Sequence, residues 1–208
     1  MRNTITPKDA KKIIRKKPMP KALEKGFFHN GWENHLDRVY IRTAELFADN
    51  ASASRALYTH LEQLLPCIAF YETLQEITGS KEFALDFIGK WAFVEAEKLI
   101  PIAQTIMKLG FYKKMPDLCE MLLHKMFGAD AGFDSREVPG AKKFARDMTV
   151  CPYFETCKKY GCPELTQFAC KADDITYGNL HPKLVWARTQ TLGMGGECCD
   201  FRLYLKED

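Results

Sequence analysis

The sequence predicts an α+β fold: an N-terminal helical layer packed on a small C-terminal antiparallel sheet, with one or two helices inserted into the sheet-containing half. Three observations carry that prediction. As far as residue 128, apolar side chains recur at three and four residues, the spacing of one helix face. Beyond residues 128–132 the period falls to two, as on a half-buried strand. Residues 184–191, rich in Val, Trp and Thr, are followed by a turn with Gly193, Gly195 and Gly196 and by a second apolar run, residues 198–205, which together read as a hairpin.

In chain order, residues 1–30 come first. They carry Lys8, Lys11, Lys12, Arg15, Lys16, Lys17, Lys21 and Lys25 against Asp9 and Glu24, and read as a basic arm, solvated or loosely packed. From 34 to 49, Leu36, Val39, Tyr40, Thr43, Leu46 and Phe47 form one helical stripe. Residues 56–65 keep that period, with His60 on the apolar face as a hydrogen-bonded core histidine. Pro66 has no amide hydrogen, so it kinks the segment or starts a new helix that ends at Gly79.

Ser80 can cap the following helix. Its Phe83, Phe87, Trp91, Val94 and Leu99 leave it apolar nearly all round, which places it inside or at an oligomer contact. Pro101 interrupts that helix, residues 102–109 continue it to Gly110, and 116–127 form a shorter one with Cys119, Leu122, Leu123 and Met126 inward. Cys67 and Cys119 read as core thiols, and His124 as solvated. Residues 133–138 read as a strand. In 142–150, Phe144, Arg146, Met148 and Val150 alternate against Lys143, Ala145, Asp147 and Thr149. In the last strand Cys199, Phe201, Leu203 and Leu205 share one face, and Cys198, Asp200, Arg202 and Tyr204 the other.

A chain of 208 residues suits one sizeable domain. We read 31–208 as that domain, with a helical half at 31–128 and a sheet-containing half at 129–208 that holds the candidate site. Thirty basic residues nearly cancel 27 acidic ones, a net charge of +3, so no global field draws nucleic acid and that class is set aside. The start lacks the apolar stretch of a secretory signal, and no apolar run is long enough to span a bilayer. The expectation is a cytoplasmic protein with a small-molecule substrate, no nucleic-acid or membrane partner, and self-association left open. In that compartment thiols stay reduced, so the eight cysteines are apolar side chains, ligands or nucleophiles before they are disulfides.

Six of those cysteines fall between 151 and 199, and that stretch holds the candidate chemistry. Residues 163–177 read as a helix, with Pro163 suited to its first turn and Gly178 and Asn179 to its end. Leu165, Phe168, Ala169, Ala172, Ile175 and Thr176 make its buried stripe. Cys170, Asp173, Asp174 and Tyr177 make the adjoining one, a line of thiol, carboxylates and phenol. Neighbouring helical residues point about 100° apart, so one of the two acids faces a shared pocket; Asp173, on the Cys170 side, is favoured. For Asp174 and Asp200 an ion pair or loop-ordering contact is the stronger reading.

Arg188 suits a bidentate clamp on a substrate carboxylate. His181, past the helix end, is placed to hydrogen-bond substrate or shuttle a proton. Cys162 and Cys151 each precede a proline at a helix start, where amide N–H groups favour a thiolate; a small buried corner residue is the competing reading for both. Paired C-x-x-C hooks are missing, so a zinc or iron–sulfur site at Cys151, Cys157, Cys162 and Cys170 is the lesser reading and no cofactor is required.

GCPEL, then FACKADDITYG, then HPKLVWARTQTLGMGGECCDF resembles the family of L-2-amino-thiazoline-4-carboxylic acid hydrolases, as does LPCIAFYETLQEITGSKEFAL in the helical half. The likeness covers roughly residues 55–208. It implies hydrolysis of a cyclic amidine, the thiazoline ring, to N-carbamoyl-L-cysteine. Under that resemblance Asp173 activates the attacking water and Arg188 holds the carboxylate. Cys170, Cys199 or Cys151 serves as nucleophile or lining, with Tyr177 and His181 against the substrate. A non-catalytic small-molecule, metal or thiol-based sensor is the alternative, distinguished by retention of ligand without turnover.

Overall fold

The computed structural model describes residues 4–141 and 144–206, which divide into two compact units, Met1–Ala96 and Glu97–Asp208. The first unit is helical: α1 (Pro7–Lys16), α2 (Pro18–His29), α3 (Leu36–Asp49), α4 (Arg55–Thr78), α5 (Lys81–Trp91) and most of the single turn α6 (Val94–Glu97). The expected solvated arm is instead two packed helices. Thr6 and Asp9 form a capping box at the start of α1, and Pro18 opens α2. Ala10, Ile14, Ala22, Leu23 and Phe27 are fully buried. Each large apolar side chain so placed contributes roughly 1.5–3 kcal/mol. The lysines lie on the other faces, and their density masked a regular apolar spacing.

The α3 stripe is buried as predicted, Leu36, Val39, Tyr40, Thr43, Leu46 and Phe47 together. Pro66 neither starts a helix nor ends one, since α4 runs through it for 24 residues from a Ser54 cap to Gly79. The lost amide bond is one in a helix buried along most of its second half, where packing outweighs it. Gly79 is left-handed, φ 67°, a conformation that side-chain-bearing residues avoid. The next helix stops at Trp91, well short of Pro101.

In the second unit α7 (Ile100–Lys108) begins at that proline, followed by α8 (Met115–Met126), β1 (Asp134–Glu137), β2 (Phe144–Val150), α9 (Pro152–Lys159), α10 (Thr166–Tyr177), β3 (Leu184–Ala187) and β4 (Cys199–Leu205). The strands form one antiparallel sheet in the order β1-β2-β4-β3, with two helices inserted between β2 and β3. The class is α+β, as predicted. Lys142 and Lys143 of the expected second strand lie outside the described residues. From Phe144 on, the alternation holds: Phe144, Arg146 and Met148 are buried and the residues between them less so. Arg146 can lie on the buried face because Glu120 of α8 and Glu137 of β1 ion-pair with it.

β3 ends at Ala187, four residues before its expected end. The Asp200 carboxylate takes the amide hydrogens of Thr189 (2.9 Å) and Gln190 (2.8 Å) and the Thr189 hydroxyl (2.6 Å), so those amides leave the ladder. That is the loop-ordering contact expected of Asp200. It fixes the segment that carries Arg188.

Candidate active site

Cross-strand register decides which side chains share the inner face of the sheet. Arg146 opposes Phe201, Met148 opposes Cys199, and Trp186 opposes Leu203. Directly opposed residues on antiparallel strands point the same way, so Trp186, Cys199 and Phe201 share one face. From α10, Cys170, Asp173, Asp174 and Tyr177 meet that face. Gly193, in the turn Leu192–Met194, is pressed against α10. A Cβ there would lie 2.8 Å from the Thr166 methyl and 3.4 Å from the Cys170 sulfur, so this position has no room for a side chain.

Arg188 stands where these groups converge, its side chain 7% exposed. Nη2 donates to Asp174 Oδ2 at 2.6 Å and to the Cys170 carbonyl at 3.1 Å. The guanidinium carbon lies 5.6 Å from the centre of the Phe201 ring, within cation–π range. Trp186 Nε1 donates to Asp174 Oδ1 at 2.9 Å, and its ring lies between Tyr177 (4.9 Å) and Phe201 (5.4 Å). Both Asp174 oxygens are thereby engaged. Nη1 of Arg188 lies 3.7 Å from Asp173 Oδ2, too far for a hydrogen bond, and is buried with no hydrogen-bond partner among the described residues. A buried charged donor left open is costly, and an anionic oxygen would satisfy it.

The Asp173 side chain is 42% exposed, yet its carboxyl is pushed up to about 7. Desolvation is the chief cause; Arg188 opposes it and the neighbouring Asp174 charge adds to it. The favoured acid is therefore the one with the perturbed proton affinity, and its neighbour is the one that holds Arg188.

The thiols of the candidate site are raised rather than lowered. Cys151 is the N-cap residue of α9 but makes no side-chain capping hydrogen bond, and burial pushes its thiol up to about 12 against a smaller opposing effect of the Phe154 and Tyr153 amides. Cys199 is pushed up to about 11 by burial despite the Leu192 amide on its sulfur at 3.3 Å. Burial raises Cys170 too, against a Thr191 hydrogen bond and the Arg188 charge. Cys151, Cys170 and Cys199 act electrostatically on one another, so the three are neighbours, each protonated near neutral pH. Cys162 precedes a 3-10 turn of three residues rather than a helix and is buried. The lowered thiol is its neighbour Cys157, through hydrogen bonds with Cys162 and then Thr166. Cys157 is fully enclosed, beyond the reach of a substrate.

Tyr177 lines the same edge, its hydroxyl raised by burial and by Cys119 and Asp173. His181 is placed differently. It stacks on Tyr112 with ring centres 3.8 Å apart, and its Nδ1 accepts from the Lys183 amide at 3.2 Å. Cys119, buried as expected, lies beside Tyr177 and Asp173, and burial pushes it up to about 11. Asp174 makes the ion pair expected of it, with Arg188, whereas Trp186, which donates to it, was not singled out from the sequence. The signal was present in W-x-R, since residues two apart on a strand share a face. Among the described residues no group of three or more His, Cys, Asp or Glu is arranged to hold a metal ion.

Compared with known proteins, the chain matches the family model of L-2-amino-thiazoline-4-carboxylic acid hydrolase over residues 58–203, a span that contains every group described around Arg188. No curated protein and no solved structure matches it.

Proposed function

We propose that this chain, which belongs to the L-2-amino-thiazoline-4-carboxylic acid hydrolase family, hydrolyses a small cyclic amidine that bears a carboxylate, L-2-amino-thiazoline-4-carboxylate being the substrate the family name points to. One observation carries the reading: a buried guanidinium whose Nη1 has no hydrogen-bond partner, 3.7 Å from a carboxylate whose proton affinity sits near neutrality. The open N–H binds the substrate carboxylate and fixes the ring. Asp173, ionised, takes a proton from the water that attacks the ring carbon between sulfur and nitrogen.

The atoms balance as follows. A carbon–oxygen bond forms from water, the carbon–sulfur bond breaks, and the two water protons end on the departing sulfur and on the ring nitrogen. The product is the N-carbamoyl amino acid with a free thiol. A carboxyl near neutrality suits both halves, accepting the proton as base and returning it as acid. Water is the nucleophile in this scheme, because the neighbouring thiols are held protonated. Cys170 and Cys199 line the reacting carbon, and Tyr177 closes one side.

Incubation of purified protein with the thiazoline, followed by mass spectrometry and thiol titration, tests this. The expected result is a mass gain of one water with one new thiol per turnover. Stoichiometric retention of the unchanged thiazoline would replace the enzyme with a binding module.

A further inference from the structure

Among the exposed apolar side chains of the second unit, those of α7 and the turn after it form a continuous run. Leu99, Ile102, Ile106 and Leu109 are spaced by three, four and three residues, which aligns them along one side of α7. All four are exposed, Ile102 at 60% and Leu109 at 77%, whereas Met107 is the buried residue of that helix. Gly110, at φ 94°, turns the chain sharply through a conformation that glycine alone adopts freely. Phe111 follows it, exposed, at the start of the 3-10 turn Phe111–Lys114. Lys108, Lys113 and Lys114 are exposed around this tip, and residues 99–116 contain no Asp or Glu.

The charge decides between occupants. An isologous second copy would bring the lysines of one chain against those of the other around a desolvated apolar centre, and like charges so placed oppose the pairing. An anionic bilayer reverses the sign. The lysines meet headgroup phosphates while Leu109, Phe111 and the aliphatic stripe enter the boundary between headgroups and acyl chains. We propose that α7 and the turn after it form a docking face for an anionic phospholipid surface.

The chain lies on that surface and does not thread it, since among the described residues no helix is long and apolar enough to cross a membrane. This departs from the expectation of no membrane partner, which rested on the absence of a spanning run. A stripe of four residues leaves no mark on such a test.

The experiment sediments the full chain with vesicles of phosphatidylglycerol and phosphatidylcholine, and with phosphatidylcholine alone, at low and high salt. Light scattering of the free protein and circular-dichroism melting of each variant accompany it. The expected result is co-sedimentation with the anionic vesicles alone, reduced several-fold by salt. Leu109→Ser with Phe111→Ser should weaken it about tenfold or more, and Lys113→Glu with Lys114→Glu should abolish the preference for anionic lipid, with melting unchanged. Equal binding to both vesicle types, or binding to neither, overturns the proposal. So does a dimer that the serine variant converts to monomer, because the occupant is then a second copy.

Discussion

Asp173 gives the sharpest prediction, because activity and stability should respond to its proton in opposite directions. Its carboxyl is raised from 3.8 to about 7 by desolvation, so the folded chain keeps a proton that the unfolded chain has released throughout that window. Between those limits the folded state binds more protons than the unfolded state, and the stability this group contributes falls as pH rises. Above about 7 the ionised carboxylate is a net liability to the fold. The ionised form is also the proposed base. Hence kcat/KM should rise about tenfold per pH unit below pH ~7 and level off above it, a profile set by one ionisation.

Asp173→Asn should lower turnover by about 10²–10⁴-fold, the usual worth of a general base. It should also melt at a higher temperature than the parent at pH 8, and that advantage should vanish toward pH 4, where the native carboxyl is itself neutral. Thiol release from the thiazoline follows activity, and thermal unfolding at several pH values follows stability. A pH–rate profile without a break between 6 and 8 would refute the assignment. So would an asparagine variant that keeps full turnover or shows no pH-dependent difference in melting.

Three further outcomes follow from particular contacts. Trp186→Phe keeps the aromatic row but removes the N–H to Asp174 Oδ1, and steady-state kinetics should show KM raised several-fold with a smaller change in kcat, as expected when a binding group loses its brace. Gly193→Ala forces a methyl to within 2.8 Å of the Thr166 side chain, and denaturant unfolding should show a loss of about 1–3 kcal/mol. Cys199→Ala should retain turnover within about tenfold, since water attacks and the thiol lines the site; loss of all activity, with a mass adduct trapped on the parent Cys199, would make that thiol the nucleophile instead.

Much of the fold was legible because apolar spacing reports burial directly. The α3 stripe, the alternation on β2 and the closing hairpin all follow from it. What failed did so for identifiable reasons. Eight basic residues from Lys8 to Lys25 made that segment look solvated, although a helix with lysines on its outer faces needs few buried side chains, Ala10 and Ile14 in α1. Of the two expectations for Pro66, a kink or a new helix start, the second does not hold, because the tertiary burial around it outweighs one missing amide bond and α4 continues. Asp173 and Arg188 were singled out from the sequence, and the structure places them 3.7 Å apart. That the thiols are raised was not legible. Sequence shows a cysteine at a helix start, while the desolvation that overrides the helix end depends on what α10 and β4 place around it. His181 was drawn to the site by its sequence position past α10, and its partner Tyr112 lies 69 residues earlier, a contact no local pattern could announce.

In the proposed reaction the two adjacent acids divide the work by geometry rather than by chemistry. Asp174 has both oxygens engaged, by Trp186 and by Arg188 Nη2, so it has little free capacity to accept a proton from water. Its effect is to set the guanidinium against Phe201 with Nη1 turned toward Asp173 and left open. Asp173, one residue earlier and about 100° around the helix, pairs with Nη1 of Arg188 at 3.7 Å without a hydrogen bond, and desolvation outweighs that charge in setting its proton affinity. Were the roles reversed, the base would be neutralised by a direct salt bridge and Arg188 would have no brace. Asp174→Asn should therefore weaken substrate binding while leaving the break near pH 7 in place, and Asp173→Asn should remove the break while sparing binding. Should the two variants prove kinetically alike, with the same KM and the same pH profile, the acids act as one unit and the division fails.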